Sequence, residues 1–293
     1  MIDYVVPIPP SYDKDEGFSV KDTEKYLEYL EKNDVSSVMT TAGTSQYNLL
    51  SCEEIILLNK CVSSMGPMRR KILGLPPLSG LNLKKFIDEM GVSDSDDNTY
   101  YMALYPDRFY DNDTVIDYFT SISNHIGRPI YVHGMFMRNG RGGTWNFTAD
   151  ILNKLFEQGV IAGIKEEHSD LSASYNFTLN LPDEMDVIVA GGSMRRHQFL
   201  RNAGANAFLS GIGNLFPKIE QEYCNGMTEG SIEKENELFS VFNRHGWHRS
   251  LRIALSLLNL GCNYDRMPWP SRDKTVVNEI SNVLQKIGSD DHE

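Results

Sequence analysis

The sequence lacks several features that identify whole classes of protein. Its four cysteines, Cys52, Cys61, Cys224 and Cys262, have neither metal-ligand nor disulfide spacing. It has no block of basic residues, and its net charge of −12 argues against nucleic acid as a partner. No apolar run is long enough to cross a membrane, and the N-terminus does not resemble a signal peptide. We therefore expect a cytoplasmic protein with free thiols and no membrane partner.

What the sequence does contain is a repeated alternation of short apolar runs and amphipathic stretches over residues 1–225. The apolar runs are typical of buried strands, and the stretches between them carry apolar residues at helical spacing. Eight strands are predicted, at residues 4–8, 35–39, 71–75, 100–104, 129–133, 160–166, 186–190 and 207–210. Eight strand–helix units predict an α/β fold, a closed (β/α)8 TIM barrel. The alternative is an open doubly wound sheet, which would need a dinucleotide fingerprint, and Pro9-Pro10-Ser11 is not one.

The pattern changes after residue 225. Three helices are predicted at residues 233–244, 250–260 and 274–287, without strands between them. We therefore predict two parts, a barrel at residues 1–225 and a C-terminal three-helix extension at residues 226–293 that packs against it.

Lys165 is the main candidate for chemistry, because it lies at the predicted C-terminal end of strand 6, where barrel active sites form. Ile161, Gly163 and Lys165 share one face of this strand, and Gly163 would leave space beside the amine. An amine among apolar groups favours its neutral form, which attacks carbonyls and forms a Schiff base. The alternative is a lysine that ends the strand in solvent.

Other strand ends should face the same cavity. Strand 5 carries Tyr131 and His133, strand 2 leads into Gly43-Thr44-Ser45, and strand 7 leads into Gly191-Gly192. Such residues suit carbonyl chemistry, in which lysine attacks a 2-oxo group, tyrosine moves a proton and hydroxyls hold a carboxylate. Each also has a structural interpretation: Tyr131 can be a core residue, His133 is more typical of a structural histidine, and the glycines can form turns.

The polar run at residues 166–170 contains Glu166, Glu167, His168 and Asp170, which are metal-ligand types. These residues follow one another in one loop, without converging ligands from other strands. We interpret the run as a mostly solvated loop and predict no metal site.

Several of these segments, in this order, resemble the dihydrodipicolinate synthase and N-acetylneuraminate lyase family of class I aldolases. The resemblance covers most of the chain, from Val6 to about Arg272. It is carried by Gly43-Thr44-Ser45, Tyr131, Gly163-Ile164-Lys165-Glu166, Gly191-Gly192-Ser193, residues 204–210 and Arg266-Met267-Pro268.

The resemblance implies that Lys165 forms an imine with pyruvate or another 2-oxo acid, beside which a carbon–carbon bond forms or breaks. It also implies that Tyr131 shuttles protons and that Thr44 takes part in catalysis. It implies no cofactor, and a homo-oligomer, a dimer or tetramer, in which Tyr105 or Tyr110 enters the neighbouring site. The substrate-binding positions that it implies are Gly43, Ser45, Gly191, Leu209 and Arg141.

The chain departs from the family pattern at Gln46-Tyr47, at Val132-His133-Gly134 and in the late position of Arg141. These departures argue against the lysine-pathway semialdehyde and leave an unassigned aldehyde or sugar acid as second substrate. Two alternatives are a non-catalytic barrel that binds a 2-oxo acid or sugar acid, and a phosphate-binding barrel enzyme that uses Gly191-Gly192 and Gly211-x-Gly213.

Overall fold

A computed structural model of the chain describes residues 2–91, 97–106, 111–134, 147–268 and 272–289. Eight parallel strands pair in chain order, and β8 returns to β1, so the sheet closes into a barrel. The predicted (β/α)8 TIM barrel is confirmed. The strands are β1 (Asp3–Pro7), β2 (Ser37–Met39), β3 (Arg70–Gly74), β4 (Thr99–Leu104), β5 (Ile130–His133), β6 (Ile161–Glu166), β7 (Asp186–Val189) and β8 (Ala207–Leu209).

Each strand is followed by a helix, and three further helices form the C-terminal extension. Their bounds are α1 (Val20–Lys32), α2 (Cys52–Ser63), α3 (Gly80–Met90), α4 (Asn112–Ile126), α5 (Ala149–Glu157), α6 (Leu171–Leu179), α7 (Ser193–Leu200), α8 (Pro217–Cys224), α9 (Thr228–His245), α10 (Trp247–Leu257) and α11 (Lys274–Ser289). Among the described helices, none has the combination of length and apolar content that spanning a bilayer requires.

Polar residues fix where the helices begin. Ser51 and Glu54 form a capping box at α2. The side chain of Ser19 accepts a hydrogen bond from the Asp22 N–H at the start of α1. In the same way the side chain of Asp111 accepts from the Thr114 N–H at the start of α4.

The pairing of β5 with β6 sets the two levels of the barrel interior that concern the site. Tyr131 lies opposite Gly163, and His133 lies opposite Lys165, with a register irregularity between Ile130 and Tyr131. Since residues two apart point to the same side, both pairs face the barrel axis, and the His133–Lys165 pair is nearer the C-terminal ends.

The extension is anchored to the barrel by Arg252 of α10, whose side chain is only 1% exposed. Its guanidinium donates to the carbonyl of Pro10, forms an ion pair with Asp265 and lies 4.8 Å from the ring centroid of Tyr12. The helices therefore pack against the loop that follows β1, close to the end of the barrel where the site forms.

Candidate active site

Lys165 faces the barrel axis near its C-terminal end, and the residue is 2% exposed. It is the penultimate residue of β6, so the alternation of the strand points it inward. The interpretation of a lysine that ends the strand in solvent therefore does not hold. A cavity of about 90 Å³ opens beside it, lined by Thr41, Gly43, Thr44, His133, Lys165, Glu167, Leu209 and His248.

The Lys165 amine contacts two polar groups. Its Nζ atom lies 2.8 Å from Nε2 of His133 and donates to Oε2 of Glu167 at 2.7 Å. The same Oε2 atom lies 2.9 Å from Nε2 of His133, so the three groups form a closed triangle. The apolar surroundings expected for this amine are thus wrong, because an imidazole and a carboxylate take their place.

Charge controls the state of Glu167. Burial by itself would raise the pKa of this carboxyl, but the Lys165 ammonium and the hydrogen bond from His133 hold the pKa well below its usual range. Glu167 is therefore an anion inside the cavity.

Tyr131 does not form part of this triangle. Its hydroxyl donates to Oδ2 of Asp186 at 2.5 Å and accepts from Nη1 of Arg70 at 3.4 Å. Burial raises the pKa of Tyr131 to about 12, although Arg70 opposes this. Tyr131 was expected to approach the amine. The strand register places His133 beside it instead.

Gly163 has a different purpose from the one predicted. A Cβ atom there would lie 2.9 Å from the Tyr131 ring and 2.2 Å from the main-chain oxygen of Asp186. The glycine therefore makes room for the tyrosine ring and for β7, not for the Lys165 amine.

The β2–α2 loop supplies one wall of the cavity through Gly43 and Thr44. Ser45 was predicted to bind substrate, but its side chain is fully buried and belongs to the loop itself. Its hydroxyl donates to the carbonyl of Ile8 at 2.6 Å and accepts from the Thr41 N–H at 2.9 Å. Both partners of the Ser45 hydroxyl belong to the protein itself. Of Thr44 and Ser45, only Thr44 lines the cavity.

The family departures Gln46 and Tyr47 hold this loop in place. Tyr47 is buried and donates to the main-chain oxygen of Gly74 at 2.8 Å. Gln46 accepts a hydrogen bond from the Tyr12 hydroxyl at 3.0 Å. The altered residues therefore act as anchors that fix Gly43 and Thr44 at the cavity.

The other predicted binding residues are distributed unevenly. Leu209 lines the cavity. Gly191 lies two residues after β7 with a φ of +78°, and a Cβ atom there would contact the Glu167 side chain, so it borders the site without lining the cavity. Tyr105 packs edge-on against Phe147 of its own chain, with centroids 4.8 Å apart. Arg141 and Tyr110 lie outside the described residues.

The run at residues 166–170 is solvated only in part, because Asp170 is exposed, as predicted, whereas Glu166 is buried. Glu166 is 1% exposed and accepts hydrogen bonds from His168, Ser174 and Arg196. Burial opposes ionisation, but these partners lower the pKa of Glu166 overall. The network fixes the chain directly after β6 and thereby directs Glu167 into the cavity.

His248 is a residue of the site that was not predicted from the sequence. It lies at the start of α10, and its Nε2 atom would be 3.6 Å from a Cβ atom at Gly43. Burial lowers the pKa of His248, against the opposing effect of Glu167. Only the packing of the extension brings this histidine to the cavity. By contrast, His133 and Glu167 could have been identified from the sequence, because they lie near the ends of strands 5 and 6.

The turns after β7 and β8 are occupied by carboxylates of the chain itself. The Gly211 N–H donates to Glu220 at 2.9 Å, and the Met194 N–H at the start of α7 donates to Glu235 at 3.3 Å. These amides are the ones that a phosphate would use, so the structure argues against the phosphate-binding alternative. Within the described part of the chain, no cluster of three or more His, Cys, Asp or Glu side chains is suited to a metal ion.

The curated proteins to which the chain is similar are 4-hydroxy-tetrahydrodipicolinate synthases. The chain is 20% identical over 287 residues to the 4-hydroxy-tetrahydrodipicolinate synthase of Corynebacterium diphtheriae, covering 94% of this chain and 91% of that protein. It is 27% identical to the synthase of Thermotoga neapolitana over 145 residues, a match that spans 44% of this chain and about half (46%) of that protein. No family model matches the chain.

Solved structures show the same fold. The N-acetylneuraminate lyase of Mycoplasma synoviae superposes with a TM-score of 0.78 at 18% identity, covering 98% of this chain and 97% of that one. The chain is therefore similar along nearly its whole length to a curated 4-hydroxy-tetrahydrodipicolinate synthase, and it shares its barrel fold with an N-acetylneuraminate lyase.

Proposed function

We propose that the protein is a class I aldolase-type lyase or synthase, in which Lys165 forms a Schiff base with pyruvate or another 2-oxo acid. The observation that carries the proposal is the buried Lys165 amine beside a cavity, 2.8 Å from a histidine that can exchange protons with it. An imine draws electrons from the adjacent carbon, so a carbon–carbon bond can form or break there. The relatives support this chemistry through their names as synthases and a lyase.

The cavity walls suggest how a 2-oxo acid would lie. Its carbonyl carbon would face Lys165, and its carboxylate would lie against Gly43 and Thr44, away from the anionic Glu167. His133 would then exchange protons with the carbonyl oxygen, the role first expected of Tyr131. The second substrate, an aldehyde or a sugar acid, would enter from the open side of the cavity.

The test is reductive trapping. Incubation with pyruvate and borohydride should add one reduced pyruvyl group to Lys165, seen in the intact mass and in a peptide map. Lys71 is a matched internal control, because it is also buried, at 3% exposed, but its ammonium donates to the carbonyls of Ser63 and Met65. An unchanged mass with every member of a panel of 2-oxo acids and sugar acids, or labelling of Lys71 instead, would refute the proposal.

The same panel addresses the non-catalytic alternative. A protein that only binds a 2-oxo acid would be stabilised against heat by the ligand but would form no trapped adduct. A Lys165→Ala variant should lose trapping but still unfold in one cooperative transition, at a lower melting temperature because Glu167 loses its partner.

A further inference from the structure

We propose that Glu167 and His133 activate Lys165 by sharing one proton with it, so that Glu167 sets the pH range in which the imine forms. The inference rests on the proposed function and assigns Glu167 a positioning and electrostatic role in it. It adds to the proposed function the control that Glu167 has over the proton that passes between Lys165 and His133.

The protonation of the His133 ring decides which hydrogen bonds the triangle can form. A ring nitrogen of neutral imidazole either donates or accepts a hydrogen bond. Nε2 lies 2.8 Å from the Lys165 amine and 2.9 Å from the Glu167 carboxylate, which always accepts. If the ring is protonated at both nitrogens, Nε2 donates to Glu167, and the amine beside it is uncharged. If Nε2 carries no hydrogen, it accepts from the Lys165 ammonium.

The triangle therefore has two arrangements that differ by the position of one proton. Oε2 of Glu167 is within hydrogen-bonding distance of both possible carriers, 2.7 Å from Nζ of Lys165 and 2.9 Å from Nε2 of His133. The anion keeps a cationic partner in either arrangement. The positive charge therefore stays beside the carboxylate when a proton passes from the Lys165 ammonium to the imidazole. A buried site would oppose the separation of these two charges.

The reaction begins when the Lys165 ammonium passes a proton to His133 and becomes an uncharged amine. The nitrogen lone pair bonds to the carbonyl carbon, and the oxygen takes the π electrons and then the proton of His133. His133 next removes a proton from the nitrogen and delivers it to the hydroxyl, which leaves as water while the C=N bond forms. The ammonium and the carbonyl become a protonated imine and one water, and the charge of the site is unchanged.

Among the described residues that line the cavity, the titratable group outside the triangle is His248. The described elements packed around the triangle contribute His248 from α10, which interacts electrostatically with both Glu167 and Lys165. The remaining described residues of the cavity are Thr41, Gly43, Thr44 and Leu209, none of which titrates in the ordinary range.

The experiment is the pH dependence of the trapping rate with pyruvate, for the wild type and for Glu167→Gln. Glutamine keeps a hydrogen-bond acceptor but removes the charge that stabilises protonated neighbours. Both limbs of the profile should therefore move to lower pH, by about one to three units. Glu167→Asp, which keeps the anion, should trap more slowly but with limbs close to those of the wild type.

The control is Glu28→Gln, which removes the same charge from α1, where the side chain is 64% exposed. Its profile should match that of the wild type, and melting curves should show that all variants fold. If the wild type gives no adduct, the proposed function fails and this inference falls with it. If the wild type is trapped but Glu167→Gln keeps its profile, or Glu167→Asp shifts like Glu167→Gln, only the inference is overturned.

Discussion

His133 and Tyr131 are two residues apart on one strand, yet they belong to different chemical environments. The first touches the Lys165 amine, and the second donates to Asp186, which is itself bound by Arg70. The tyrosine is therefore part of a buried ionic cluster that lies on the N-terminal side of the amine. His133, and not Tyr131, is therefore the side chain of this strand that is placed to move protons at the cavity.

This difference can be measured by comparing Tyr131→Phe with His133→Asn. Tyr131→Phe should lower the free energy of unfolding by about 1.5–3 kcal/mol, because Asp186 loses a hydrogen bond, and should leave trapping at Lys165 nearly unchanged. His133→Asn should slow trapping by about 10²- to 10⁴-fold with a smaller effect on stability. Urea unfolding and trapping rates give the two readouts. The opposite pattern would return the proton-transfer role to Tyr131.

At the scale of the elements, the sequence was sufficient for the barrel but not for the register within it. Strand positions followed from apolar runs, since β6 and β7 were predicted to begin within one residue of their observed starts. Whether Tyr131 or His133 meets Lys165 depends on how β5 is aligned with β6, and an irregularity lies at this point. Apolar alternation identifies a shared face but does not fix such an alignment.

Prediction of the site residues from the sequence has the same limit. Lys165 and Thr44 could be placed because one lies at the end of a strand and the other in the loop after a strand, where barrel chemistry occurs. Glu167 was interpreted as solvated, since nothing in a run of polar residues reveals that Glu166 will be buried against Arg196. His248 depends on the docking of α10, which no local pattern encodes.

One contact between elements makes stability depend on pH. Glu235 of α9 accepts hydrogen bonds from the first turn of α7, and burial, followed by the nearby Glu220, raises its pKa to about 7. The folded chain thus holds a proton that the unfolded chain releases near pH 4.5, the ordinary value. Stability from this group is therefore present at low pH and is lost as pH rises towards 7.

Glu235→Gln should remove this loss, because glutamine stays neutral and its carbonyl can still accept from Met194. The free energy of unfolding at about pH 8 should rise by roughly 1–3 kcal/mol, whereas at about pH 5 the change should be small. Urea unfolding at the two pH values measures the difference. A variant that is stabilised equally at both, or at neither, would contradict the role given to this carboxyl.

At the scale of the whole molecule, the extension and the barrel are structurally dependent on each other. The extension provides His248 to the cavity, and Arg252 of the same helix is buried against the loop after β1. The division at residue 225 remains a prediction about sequence pattern. The contacts of α10 suggest that the two parts unfold together.

Arg252→Leu tests this dependence. It leaves the carbonyls of Pro10 and Tyr264 without their donor and weakens the pairing of Asp265, so the free energy of unfolding should fall by about 3–5 kcal/mol. The matched control is Arg244→Leu on α9, where a 60% exposed arginine pairs with Glu279, and its effect should stay below about 1 kcal/mol. Urea unfolding followed by circular dichroism should give one transition for both variants, because the buried contacts of α10 join the extension to the barrel. Two separate transitions, or equal effects of the two substitutions, would mean that the helices fold independently and that the barrel can keep its site without them.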